Sequence, residues 1–126
     1  MRAPEPLRGL RVVASASALD ALAWPDGVIA LRVAPDELLV IGKAAVALGD
    51  EPAIIEDERG LVGWWLTLDE WRDHVREYVD WPLPASRPAL AQGLVAGVPA
   101  KVWLTEDRVL LLCASAYAHE LVERLR

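Results

Sequence analysis

From Val109 to Cys113 the chain runs Val-Leu-Leu-Leu-Cys, with no polar side chain in the stretch. A strand with one wet face alternates apolar and polar residues, so an unbroken apolar run reads as a strand covered on both faces. A chain that contains such a strand must lay protein on each side of it. The flanks fit a layered arrangement. Ahead of the run, Ala100, Val102 and Leu104 alternate with Lys101 and Trp103, which places those two on the opposite face of a strand. Ala91–Ala96 reads as a further strand, Gly97-Val98-Pro99 as the turn after it, and Thr105-Glu106-Asp107 as the turn into the apolar run. Beyond it, Ser115 is placed to cap a terminal helix whose Ala118, Leu121, Val122 and Leu125 form one stripe.

The first part of the chain has a related pattern. Residues 1–26 form an entry segment, with a short helix expected between Ser15 and Leu22 and a turn at Trp24-Pro25-Asp26-Gly27. Val28–Val33 and Glu37–Ile41, joined by Ala34-Pro35-Asp36, predict a β-hairpin. Residues 42–49 fit either a short helix or a wide loop. Ala53-Ile54-Ile55, a turn at Glu58-Arg59-Gly60 and Leu61–Leu66 predict a second hairpin. Thr67 and Glu70 have the spacing of a capping box, and Leu68, Trp71, Val75, Tyr78 and Val79 fall on one face of the helix that follows. Asp69 with Arg72, Asp73 with Arg76 and Arg76 with Asp80 are its expected ion pairs. Trp81-Pro82-Leu83-Pro84 ends it. The expectation is one α+β domain over residues 1–126, a largely antiparallel sheet in two similar sub-layers with helices packed on it. The sub-layers span about 28–80 and about 90–126, with a Pro-rich link at 81–89.

Composition narrows the function. Net charge is −6 and the basic residues are scattered, which disfavours nucleic acid and anionic membrane surfaces. No apolar stretch approaches the roughly 20 residues of a membrane span. The Ala/Ser-rich Val12–Ala18 segment is too short for a secretion signal, and Asp20 follows closely. The lone Cys113 fits a reducing compartment, so a cytoplasmic protein is expected.

Candidate chemistry is sparse. His74 and His119 have no further His or Cys at ligand spacing, and zinc needs three or four ligands. Cys113 with His119 is a conceivable nucleophile pair, but a Cys ending an apolar strand more often serves as a small hydrophobe. Glu56, Asp57 and Glu58, with Asp50 and Glu51, read as solvated charge, because adjacent strand residues point to opposite faces. No glycine-rich nucleotide loop is present. The six Trp offer a different possibility. Trp64 and Trp65 are consecutive on a strand, Trp103 shares its face with Lys101, and Trp81 precedes Pro82. Trp is enriched at the centres of protein interfaces, so Trp64, Trp65, Trp81 and Trp103 are the expected interface residues.

A resemblance gives that reading a context. Residues 91–104, then Asp107-Arg108-Val109-Leu110-Leu111-Leu112, then Ser115-Ala116-Tyr117-Ala118-His119-Glu120-Leu121, are similar to the tail of the gamma subunit of heterotetrameric sarcosine oxidases. Ala34-Pro35-Asp36-Glu37-Leu38-Leu39-Val40-Ile41-Gly42 resembles an early segment of the same family. The resemblance implies a shortened aminomethyltransferase-like, folate-binding-type fold. It also implies a structural subunit with no catalytic, cofactor-binding or metal residue of its own, docked on large and medium flavoprotein subunits. FAD, FMN and NAD would then reside on those partners. The alternative is a stand-alone folate or small-ligand binding module.

Overall fold

The structure is a computed structural model that describes residues 1–126. It is α+β, with antiparallel sheet and few helices. The strands are β1 Glu5–Val13, β2 Ile29–Ala34, β3 Glu37–Ile41, β4 Ile54–Thr67, β5 Ala89–Val95, β6 Val98–Leu104 and β7 Arg108–Ala114. The α-helical segments are α1 Ala16–Asp20, α2 Leu68–Glu70 and α3 Ala118–Arg124. The chain divides into two compact units, Leu7–Arg59 and the larger one formed by Met1–Pro6 with Gly60–Arg126. This division differs from the expected sub-layers and falls inside β4.

In the smaller unit β3 pairs with both β1 and β2, Leu39 facing Arg11 on one side and Leu31 on the other. Pro35 and Asp36 make the expected hairpin turn, and a register irregularity between Arg32 and Ala34 lets it close. Val12, Ala14, Leu19, Leu38 and Val40 form the core. The Ser15 hydroxyl accepts from the Ala18 amide at 3.2 Å and caps α1, whose Leu19 is the residue it buries. Residues 43–48 are an open loop rather than a helix, with Ala44, Val46 and Leu48 resting on the cluster.

The larger unit is built around β7. Val109 through Cys113 are buried without exception, as an unbroken apolar run requires. Two strands flank it: Trp64 of β4 faces Leu111, and Val102 of β6 faces the same residue. β5 completes the order β4-β7-β6-β5. Val109, Leu111 and Cys113 join Trp64, Trp71, Val75, Leu121 and Leu125 in one cluster, so one face of this sheet is roofed by the two helical segments. Each fully buried Leu or Val there contributes about 1.5–3 kcal/mol relative to exposure.

Several local expectations are corrected. The Ile54–Thr67 segment is one strand, not a hairpin. Glu58-Arg59-Gly60 stays extended, and the Arg59 guanidinium meets the Asp57 carboxylate at 3.0 Å, the two-residue spacing of side chains on one strand face. The turn before β6 is Ala96-Gly97, so Val98 and Pro99 belong to the strand. Both turn residues have positive φ, 50° and 78°, and Val95 faces Val98 across them, the pattern of a two-residue hairpin loop. Ser115 does not cap α3; it opens a 3-10 turn, Ser115–Tyr117, that precedes the helix.

The central helical segment keeps its predicted start. Thr67 Oγ1 accepts from the Glu70 amide at 3.1 Å, and Glu70 Oε1 accepts from the Thr67 amide at 3.0 Å. It then departs from a regular helix, with wide π-type turns over Trp71–Val75 and a 3-10 turn over Arg76–Tyr78. Those changes of pitch disturb the i,i+3 spacing. Arg72 still reaches Asp69 at 2.8 Å, but Asp73 is bound by Arg72 and Arg76 donates to the Val79 carbonyl. Beyond this segment, Trp81 lies flat on β5, its Nε1 donating to the Leu94 carbonyl at 2.8 Å, while the Ala96 amide donates to the Tyr78 carbonyl. The edge of β5 is thereby blunted.

Two predictions follow from these contacts. A Cβ at Gly93 would stand 2.6 Å from the Trp81 ring, whereas one at Gly60 would meet nothing within 4 Å. Gly93→Ala should lose about 1–3 kcal/mol in denaturant titrations. Gly60→Ala should stay within about 0.5 kcal/mol of the parent in the same titrations. The second concerns Glu70, whose carboxyl is held at about 2, first by the hydrogen bond from Arg2 and then by the Thr67 amide. A depressed carboxyl contributes stability above its unfolded value near 4.5, and that contribution is lost as pH falls toward 2. Glu70→Gln should lower the melting temperature at pH 7, and the gap to the parent should close as pH approaches 2.

Candidate interface

Alternation along the strands gives the sheet of the larger unit a second face. Its residues line up across the four strands because the register is unbroken: Trp65 faces Leu110, Leu110 faces Trp103, and Trp103 faces Leu90. The next row reads Gly63, Leu112, Lys101 and Gln92. In the third, Leu61 faces Ala114, and Pro99 faces Leu94. Leu110 and Leu112 are fully buried. Trp65 and Trp103 are half-buried at their sides.

The tryptophans are therefore more deeply set than the sequence suggested. Trp64 is corrected: at 1% exposure it belongs to the helix-covered core, and its Nε1 donates to the Arg2 carbonyl at 2.8 Å. It cannot present a contact surface. Its neighbour Trp65 is the member of the pair that faces the other way, and the Arg108 guanidinium covers its ring at 3.7 Å. Trp81 is half-buried on Gly93. Trp71 is core.

What lies open is a groove over the second and third rows, about 370 Å³ in volume. Leu61, Leu94, Pro99, Leu112 and Tyr117 supply its apolar lining, with Gln92 and Lys101 as polar groups. Leu94 is 53% exposed and Tyr117 41%. Neither was singled out in the sequence. A signal was there: Leu94 shares strand parity with Leu90 and Gln92, opposite Ala91, Gly93 and Val95.

The residues considered for chemistry stand apart. Cys113 also borders the groove, but it is 3% exposed and burial pushes its thiol up, away from the thiolate. His119 and His74 are exposed on their helical segments, and no hydrogen bond joins Cys113 to His119. No group of three or more His, Cys, Asp or Glu is placed to hold a metal ion. Glu56 is paired with Arg11 at 3.0 Å and Asp57 with Arg59, so the acidic run is divided between two arginines. No helix is long and apolar enough to cross a membrane.

No protein-family model matches the sequence, and no curated protein does. Among solved structures, a chain of the heterotetrameric sarcosine oxidase from Corynebacterium sp. U-96, in complex with pyrrole 2-carboxylate, superposes with a TM-score of 0.74. The match covers 97% of this chain and 79% of that one at 17% identity. The two share a fold. At that identity the likeness extends to backbone arrangement and carries no residue's role with it.

The buried thiol yields a direct check. Cys113 in the native chain should react with a maleimide or iodoacetamide far more slowly than a free thiol at pH 7.5, and denaturant should restore ordinary reactivity. Rapid native labelling would contradict the burial described.

Proposed function

We propose that this chain is a non-catalytic subunit of a sarcosine-oxidase-like complex that oxidises a secondary amine. The observation that carries the reading is the fold match over nearly the whole chain to a protein of a heterotetrameric oxidase. The chain's own features agree with it. The larger unit carries an open apolar groove with a single ammonium, and its one thiol is buried and protonated. Such a surface suits a neighbouring polypeptide better than a reacting small molecule, which needs convergent polar groups. On this reading the fold is the shortened aminomethyltransferase type. The partners are large and medium flavoprotein subunits in the cytoplasm, and they hold FAD, FMN and NAD. Leu94, Tyr117 and Leu61 dock against them, with half-buried Trp65 and Trp103 backing the contact and Lys101 meeting a partner's acidic group.

The test is co-expression with the large and medium subunits of a sarcosine-oxidase-type enzyme encoded in the same genome. The chain should elute with them as one flavin-containing complex. Leu94→Asp should weaken that association by about tenfold or more, as loss of a central anchor does. Its melting temperature should stay close to the parent's, because the side chain is largely solvated. Elution of the wild-type chain alone, with the flavoprotein subunits assembling without it, would overturn the proposal.

A further inference from the structure

The smaller unit holds a depression that is independent of the groove and of the oxidase reading. Gly42 follows β3 with φ 112°, a backbone that side chains rarely adopt, and turns Lys43 out of the strand direction. The Gly42 amide donates to the Arg8 carbonyl at 3.2 Å, so Arg8 of β1 stands opposite the start of the loop. Arg8, Leu10, Lys43, Ala44, Ala45 and Asp57 line the open depression there, about 630 Å³ in volume.

Its charges are not cancelled from within. Acidic residues outnumber basic ones in this unit, and its other cations are all paired: Arg11 with Glu37 and Glu56, Arg32 with Asp20, Arg59 with Asp57. Arg8 and Lys43 are exposed, and their side chains make no ion pair or hydrogen bond. The one carboxylate of the lining, Asp57, is already held by Arg59 at 3.0 Å. The amides of Lys43, Ala44 and Ala45 bond to no carbonyl or side chain, which leaves further donors on the same wall. Carboxylates are plentiful nearby, yet these two cations are left together without one. An Arg fork, a Lys point charge and adjacent free amides form a donor set for a multiply charged oxoanion. They are gathered at one strand position and one short loop. That suits a compact anion better than an acidic segment whose charges are spread along its length. We propose that this depression binds a phosphate dianion, free or carried as a monoester, through Arg8, Lys43 and the amides of residues 43–45. Leu10 and Ala44 would then lie beside the organic body of an ester.

The test is a titration of the isotope-labelled full chain at constant ionic strength and pH 7.5, followed by amide nuclear magnetic resonance. The probes are inorganic phosphate and phenyl phosphate. Either should shift the amide signals of Lys43, Ala44 and Ala45 saturably, with a Kd of about 1 mM or lower. Tighter binding of phenyl phosphate assigns the site to a monoester, and equal binding assigns it to phosphate itself. Arg8→Gln with Lys43→Gln should weaken binding about tenfold or more, with circular dichroism confirming the fold. Arg72→Gln, which removes a charge from the larger unit, should leave it unchanged. The absence of saturable shifts, shifts confined to other residues, or equal weakening by Arg72→Gln would each overturn the proposal.

Discussion

Burial of β7 on both faces is the constraint on which the larger unit depends. A strand with Leu110 and Leu112 on one side and Val109, Leu111 and Cys113 on the other must be covered on both faces. It is paired at both edges, with β4 and β6, and roofed by helix on the Leu111 side. It also fixes the register, since a slip of one residue would exchange the two apolar sets and carry Lys101 and Gln92 toward the core. The groove follows from the same register, because Leu61, Gln92, Leu94, Pro99, Lys101, Leu112 and Ala114 of its lining are second-face members of adjacent rows.

Two surfaces of the chain differ in character. The groove is apolar with a single cation, and its rim residues Leu94 and Tyr117 are among the most exposed large side chains of the chain. The 54–60 stretch of β4 is exposed and charged, with Glu56 paired to Arg11 and Asp57 to Arg59. The chain's thiol is buried and its two histidines are solvated.

Elements whose logic is local were legible in the sequence. The capping box at Thr67 and Glu70 formed as its spacing requires, and the hairpin around Pro35-Asp36 needed only turn chemistry. The apolar run named the central strand. Where several residues of charge and Gly met, the sequence was ambiguous: Glu58-Arg59-Gly60 has turn composition yet continues β4, because pairing along a long ladder overrides a weak local preference. The irregular turns after Glu70 had no signature in the 3.6-residue pattern, which Trp71 and Val75 satisfy in either geometry. The candidate interface residues were half legible. Consecutive tryptophans imply one on each face, but which of Trp64 and Trp65 meets the helices is set by the β4–β7 register, a tertiary fact. Leu94 was legible only through its strand parity with Leu90 and Gln92, and Tyr117, in the turn after β7, had no such signal.

On the proposed reading, the chain contributes contact surface and no reacting group. Steady-state amine oxidation by the proposed complex, assembled with this chain carrying Cys113→Ala, His74→Ala and His119→Ala together, is the direct test. Unchanged kcat and KM per assembled complex is the predicted result. Loss of turnover in a complex that still assembles with full flavin content would contradict it.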